Sequence, residues 1–258
     1  MRPLALVTGG SSGIGFELAQ QLAQHGHDVV VSGRADRVHE SAAALRGHGG
    51  EAWGVQVDMG THDGVEEFWS FVAGLERPLE VACLNVGIGI GGAFADTDLD
   101  AELELIAINV TGTVHLAKRV VHAMLPQGRG RILVTSSISA LQPTPYETVY
   151  GPSKAFGFSF AESLREELRE SGIVVTALLP GATNSEFHHS AGMDDTVFGD
   201  DSWKNDQAEV ARLGYEALMR GDDHVIGGDD ATRQQVEDNR KLTEVEKAEK
   251  HAAMARPS

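Results

Sequence analysis

Seven short apolar runs punctuate the chain, at 4–7, 29–31, 52–57, 81–84, 131–135, 173–179 and 224–226. Most are continuous rather than alternating, the pattern of a strand buried on both faces. Between them, apolar positions return every three or four residues, the spacing of one helical face. Ile14, Leu18, Leu22 and Ala23 mark the first such face, Val38, Ala42 and Leu45 the second, and Val65, Phe68, Trp69 and Val72 the third. A long helix is expected from about 99 through Asn109 to 124. Another starts at Tyr150 and runs through Phe156, Phe160, Leu164 and Leu168, and a shorter one covers 207–219. Gly26, the glycines of 47–50, Gly172 and Pro180-Gly181 supply the stops. Strict alternation of strand and helix predicts an α/β domain, its parallel sheet of about seven strands covered by helices on both faces.

Two segments depart from this rhythm. Residues 182–203 hold Gly192, Gly199 and the aspartate pairs Asp194-Asp195 and Asp200-Asp201, the character of a mobile loop or lid. Residues 229–258 are dense in charge and sparse in apolar positions (Val236, Leu242, Val245), with i,i+4 pairs Glu237–Lys241 and Glu246–Lys250. A solvated helix or frayed arm is expected there, or an arm folding onto a partner subunit. The single domain is then 1–228.

Composition narrows the partners. The 258 residues suffice for a full core, and 21 Lys and Arg against 38 Asp and Glu give a formal charge of −17. That argues against nucleic acid and anionic membrane surfaces, which need clustered cations. No stretch is apolar enough to span a bilayer, and the first ten residues enter a strand and a glycine turn rather than a signal peptide. Cys83 is the only cysteine and sits in an apolar strand, so a buried thiol and a cytoplasmic protein are expected.

The first strand ends in Thr8-Gly9-Gly10-Ser11-Ser12-Gly13-Ile14-Gly15 and passes directly into a helix. Such a turn presents backbone N–H groups at a helix N-terminus to an anion, and its glycines let phosphates approach. No Lys-Ser or Lys-Thr pair follows, so this is not a nucleoside-triphosphate loop. Further on, Tyr150 and Lys154 are four residues apart and share one helix face. A nearby cation favours the phenolate, which makes the pair a candidate general acid.

Thr8-Gly9-x-x-x-Gly13-x-Gly15 followed by Tyr150-x-x-x-Lys154 resembles the short-chain dehydrogenase/reductase family, over about 4–228. The resemblance implies a Rossmann-type doubly wound sheet and a nicotinamide dinucleotide as cofactor. Asn85-Val86-Gly87 is similar to the family's Asn-Asn-Ala-Gly motif, with Leu84 and Val86 replacing the usual first Asn and Ala. By the same resemblance Asn109, Ser137, Tyr150 and Lys154 form the catalytic set. Ser137 holds the reacting oxygen and Tyr150 exchanges its proton. Lys154 lowers the tyrosine pKa and bonds the nicotinamide ribose, while Asn109 holds a water of the proton relay. The cofactor site comprises Gly9, Ser11, Ser12, Gly13, Ile14, Gly15, Arg34, Asp58, Met59, Asn85, Gly87, Pro180, Gly181 and Thr183, with Tyr150 and Lys154. Asp58 would lie near the adenine and Pro180-Gly181 against the nicotinamide.

The expected reaction is hydride transfer between nicotinamide and a carbonyl or secondary alcohol, on a small-molecule substrate, by a homotetramer or homodimer. At the end of the second strand, Gly33 and Arg34 stand where an acidic residue would bind the adenosine ribose and repel a 2′-phosphate. With Arg37 close behind, this favours NADP(H), a guanidinium binding phosphate bidentately. NAD(H) remains an alternative, since neither Ser11 nor Ser12 is basic. The competing readings are a catalytically idle NADP-binding sensor or scaffold, an NAD-dependent dehydrogenase, and a lyase or dehalogenase of the same fold. The pocket is expected to be lined by Phe94, Leu141, Pro143, Tyr146, Phe187 and Phe198. No metal site is expected: His188 and His189 diverge, and His115, His122 and His224 have no partner apparent in the sequence.

Overall fold

The computed structural model describes residues 2–257; Met1 and Ser258, the outermost residues of the predicted domain and tail, lie outside the described residues. Its strands are β1 (Leu4–Val7), β2 (Asp28–Gly33), β3 (Ala52–Gln56), β4 (Leu79–Leu84), β5 (Gly130–Thr135), β6 (Ile173–Pro180) and β7 (His224–Gly227). They form one parallel sheet in the order β3-β2-β1-β4-β5-β6-β7.

Because side chains alternate across a strand, each apolar run supplies both faces at once. Leu4, Leu6, Val30, Ala82, Leu84, Ile132 and Val134 enter one core layer. Ala5, Val7, Val29, Val31, Val81, Cys83 and Leu133 enter the other. The first layer is closed by α3 (His62–Gly74), α5 (Thr113–Met124) and α6 (Tyr150–Glu167), through Phe68, Leu116, Val120 and Ala161. The second is closed by α1 (Gly13–Gln24), α2 (Arg37–Leu45) and α8 (Gln207–Arg220), through Leu18, Leu22, Val38, Ala42, Val210 and Leu218. This is the doubly wound arrangement. Strand order reverses between β1 and β4, which leaves a crevice beyond their carboxyl ends. Cys83 is buried, and desolvation pushes its thiol up to about 12, so it stays protonated.

The predicted long helix over 99–124 is not continuous. It divides into α4 (Leu99–Ile106), a π-turn (Ala107–Gly112) and α5. The wider turn coincides with a close approach to the loop after β3: a Cβ on Gly112 would lie 2.0 Å from the Met59 carbonyl oxygen. Hydrophobic spacing does not reveal an insertion of this kind, because the face on either side stays apolar.

The segments expected to be loose are folded. Residues 182–203 contain the short helix α7 (Phe187–Ser190) and a 3-10 turn (Val197–Gly199). The tail forms α9 (Asp230–Asn239) and α10 (Glu244–Ala255), the latter started by a Thr243–Glu246 capping box. Instead of fraying, the tail packs on its own chain: Ala255 joins Ala191, Met193 and Phe198 in a small apolar cluster, with Met254 against it. Of the three apolar tail positions, Val236 is buried while Val245 is exposed.

We expect Gly112→Ala to lower unfolding free energy by about 1–3 kcal/mol, since a methyl group cannot fit against the Met59 carbonyl without moving backbone. Urea unfolding of the two proteins measures this; equal midpoints would show that the π-turn tolerates the methyl.

Candidate active site

The crevice holds one cleft of about 1080 Å³. Its first wall is the glycine turn. Thr8 anchors that turn: its hydroxyl accepts hydrogen bonds from the N–H groups of Asn85 (2.9 Å) and Val86 (3.0 Å). Asn85 returns the tie, donating from Nδ2 to the Thr8 carbonyl (3.1 Å) and accepting from the Thr135 hydroxyl (3.0 Å). The carboxyl ends of β1, β4 and β5 are thereby fastened together. Gly9 (φ 65°) and Gly13 (φ 55°) adopt left-handed backbone, and a Cβ on Gly15 would lie 2.1 Å from the Gly9 carbonyl oxygen. Helix α1 begins at Ser12 without a side-chain cap, so the N–H groups of its first turn are unspent on the cleft wall. A tight glycine turn delivering free N–H groups fits the pyrophosphate of a dinucleotide.

Tyr150 and Lys154 form the floor. Both are buried, and the Lys154 ammonium is 5.7 Å from the Tyr150 ring centroid. Lys154 Nζ donates to the Thr135 carbonyl (3.2 Å), and the Ser136 hydroxyl donates to the Lys154 carbonyl (2.7 Å). Burial pushes the lysine pKa down to about 8. The expected lowering of the tyrosine by Lys154 is not what the protein alone displays. Burial raises the Tyr150 pKa, the Glu147 charge raises it further, and only the Ser137 hydroxyl opposes them. The phenol is a firmly protonated acid in this state.

Ser137 begins a 3-10 turn after β5, and its Oγ accepts from the Ser139 N–H (3.1 Å). Asn109 sits in the π-turn, behind the wall rather than on it. Its Oδ1 accepts from the Ile88 N–H (2.9 Å), while Nδ2 donates to the Ile88 carbonyl (2.9 Å) and Ser153 Oγ (3.0 Å). It therefore holds the turn that carries Gly87, where a Cβ would lie 2.8 Å from Lys154 Nζ. All the other residues predicted above for catalysis or cofactor line the cleft.

At the far end, a Cβ on Gly33 would lie 2.9 Å from Ser11 Oγ and 3.2 Å from Val38 Cβ, so a larger residue there requires those side chains to shift. Arg34 is not free. Its guanidinium bonds Asp58 (3.0 Å) and, closely, Glu104, and Arg37 bonds Glu186 (3.1 Å). A phosphate here would exchange with carboxylates rather than meet bare cations.

The family model for short chain dehydrogenases matches residues 3–196. The chain belongs to that family. It is 32% identical over 186 residues to dehydrogenase/reductase SDR family member 4 of Bos taurus, covering 71% of this chain and 67% of the relative. Among solved structures it is similar to a short-chain dehydrogenase from Sphingobium yanoikuyae in complex with NADPH, at TM-score 0.82 and 28% identity, covering 93% of each chain. It is also similar to the bulky-bulky ketone specific alcohol dehydrogenase from Comamonas testosteroni, at TM-score 0.78 and 26% identity, covering 93% of this chain and 92% of that one. The protein is thus an oxidoreductase of the short-chain dehydrogenase type, a family that binds nicotinamide cofactors.

The substrate end of the cleft differs from expectation. Phe187 and Phe198 line it, but Phe94, Leu141, Pro143 and Tyr146 do not. In their place stand Gln142, Glu147, His188 and, from the tail, Asn239, Lys250 and His251. Glu147 precedes α6 by three residues, so only its nearness to Tyr150 in the chain pointed to it; the tail residues carry no sequence signal for this position. His188 stacks on Phe198 (centroids 5.2 Å apart), and burial lowers its pKa to about 4, so it is a neutral ring. Two groups away from the cleft also correct the reading of isolated histidines. His115 lies with His62 and Glu66, and His224 with Glu162 and Asp223. Arg119 also holds Glu66 through two 2.9 Å bonds. Among the described residues no helix is long and apolar enough to cross a membrane.

The buried lysine makes a sign-definite prediction. Its folded pKa, about 8, lies below its usual 10.5, so the unfolded chain binds more protons between those values. The penalty for burying the charge is full below pH 8 and vanishes above 10.5. Relative to Lys154→Met, the protein should gain up to about 3 kcal/mol of stability as pH rises across that window. Urea unfolding of both at pH 7.5 and 10.5 measures it; a pH-independent difference would contradict the burial argument.

Proposed function

We propose that the protein transfers a hydride between NADP(H) and a carbonyl or secondary alcohol carbon, with Tyr150 as general acid and base. The observation that carries this reading is a buried phenol beside a buried ammonium at the base of a glycine-walled, dinucleotide-sized cleft. When bound, the nicotinamide cofactor supplies or accepts the hydride. Gly9, Ser11, Ser12, Gly13, Ile14 and Gly15 hold its pyrophosphate. Asp58 and Met59 border its adenine, and Asn85, Gly87, Pro180, Gly181 and Thr183 border its nicotinamide half.

In the reductive direction, Ser137 donates a hydrogen bond to the carbonyl oxygen, its own Oγ being oriented by the Ser139 N–H. Tyr150 gives its proton to the same oxygen as the alcohol forms. The raised pKa keeps the phenol charged with that proton beforehand, and Lys154, close to the ring, stabilises the phenolate left behind. Lys154 would also reach the ribose, and Asn109 supports the lysine from behind the wall by fixing the Ile88 turn that carries Gly87. The alcohol-oxidising direction uses the same groups in reverse. The complete Ser137, Tyr150, Lys154 and Asn109 set weighs against an idle binding protein.

Arg34 and Arg37 supply the preference for NADP(H), the 2′-phosphate taking the place of Glu104 and Asp58 on Arg34. The same carboxylates favour NAD(H) as a second, weaker cofactor, since its ribose leaves them in place. The active form is proposed to be a homodimer or homotetramer. Leu99, Leu103 and Ile106 form an exposed i, i+4, i+7 stripe on α4, with Val114 on α5 and Phe156 on α6 also exposed.

NADPH oxidation with a panel of ketones tests the activity. Tyr150→Phe should cut kcat by about 10²–10⁴-fold while NADPH binding stays within a few-fold; undiminished turnover would remove Tyr150 from the mechanism. Arg34→Ala should weaken NADPH far more than NADH, and Glu104→Gln should tighten NADPH. An equal effect on both cofactors would assign the arginine no phosphate role. Sedimentation at micromolar concentration should show two or four subunits, and a lone monomer would reject the α4 interface.

A further inference from the structure

A file of polar side chains runs from the tail to the catalytic turn, and each link has only one possible direction. Lys250 can only donate, and its Nζ is 2.8 Å from Asn239 Oδ1. That fixes the Asn239 amide, whose Nδ2 donates to Gln142 Oε1. Gln142 is thereby fixed too, and its Nε2 points at His251 Nδ1 (3.3 Å). His251 must accept there, so in the neutral ring the proton sits on Nε2. That nitrogen is 3.0 Å from Glu147 Oε2, with both side chains almost fully buried.

The last link is incomplete. His251 Nε2 is off the hydrogen-bonding direction and counts as a buried nitrogen without a partner. Among the described residues, no other side chain or backbone group donates to the Glu147 carboxylate. The carboxylate oxygens are not sealed off: they face the cleft and can receive a further donor from a ligand. Both residues line the substrate end of the cleft. The Gly151 N–H bonds the Glu147 carbonyl (3.2 Å), which holds Glu147 in the turn that leads into α6, three residues before Tyr150.

We propose that Glu147 and His251 form a subsite for a hydroxyl group of the substrate, which would make the substrate a hydroxyketone or, in reverse, a diol. This deepens the oxidoreductase reading above and rests on it. A hydroxyl is the group that answers both needs, accepting from His251 Nε2–H and donating to Glu147. An ammonium supplies no acceptor, and an ether supplies no donor. The rest of the substrate lies against Phe187, Phe198 and Met254, which also line this end. Residue 251 lies beyond the stretch 3–196 matched by the family model. Glu147 touches substrate in this scheme, and Gln142, Asn239 and Lys250 are positioning residues acting through His251.

The test uses four matched ketones that differ only in one substituent: hydroxyl, methoxy, ammonium or hydrogen. Each is assayed on the full chain for kcat/KM with NADPH and with NADH, and for binding to the protein–cofactor complex by calorimetry. The hydroxyketone should lead each of the others by at least about tenfold in both measurements. In Glu147→Leu and His251→Phe that ratio should fall to about threefold or less, as it should, in part, in Asn239→Leu. Equal binding of the four ketones to the unaltered protein would overturn the subsite without recourse to any variant, so misfolding of a variant cannot protect it. So would a ratio unchanged in both folded variants. Preferential binding of the hydroxyketone without turnover would keep the subsite and reject the redox reading instead.

Discussion

Everything in the site depends on how the ends of β1, β4 and β5 are fastened. Thr8 and Asn85 exchange two hydrogen bonds across the point where strand order reverses, the Val86 N–H donates a third to the Thr8 hydroxyl, and Asn85 takes a fourth from Thr135. Parallel strands meeting there would otherwise leave unpaired backbone groups in a crevice open to solvent. With those groups satisfied, the glycine turn is held rigidly at the N-terminus of α1. Thr135 then offers its carbonyl to Lys154 from the same strand end. Cofactor wall and catalytic floor thus share one anchor.

The second constraint is the burial of ionisable groups. Lys154 and Tyr150 are removed from water in the same place, and each is pushed toward its neutral form. The phenol therefore keeps its proton, while the lysine titrates much closer to neutral pH than an exposed one. Asn109 contributes by geometry. The π-turn between α4 and α5 places its amide where both ends grip Ile88, which presses Gly87 against the lysine.

A third theme is closure from the C-terminal side. Helices α9 and α10 contribute Asn239, Lys250, His251 and Met254 to the cleft, and α10 is pinned to the 182–203 segment where Ala255 meets Met193 and Phe198. Their charged composition looks solvent-facing, yet Asn239 and His251 are buried and Lys250 spends its charge on Asn239. The tail therefore adds Asn239, Lys250 and His251 to a wall that already holds Gln142, Glu147, Phe187 and Phe198.

Much of the fold, and which residues gather around the candidate cleft, was legible from local pattern. Continuous strands such as 29–31 fill both faces of a sheet, and helical faces such as Val65, Phe68 and Val72 cover it, because strand and helix periodicities are properties of the backbone. The glycine turn and the Tyr150–Lys154 spacing carry their chemistry within a few residues, so the sequence determined them directly. Tertiary structure alone decided three things. It broke the helix at Ala107–Gly112, where a contact with Met59 distant in sequence governs the turn. It paired Arg34 with Asp58 and Glu104, three residues on separate elements, and so qualified the cofactor preference read from Gly33 and Arg34 alone. And it brought His251 to Glu147, across more than a hundred residues. Such pairings depend on how elements pack, and no local periodicity encodes which distant side chain will share a pocket.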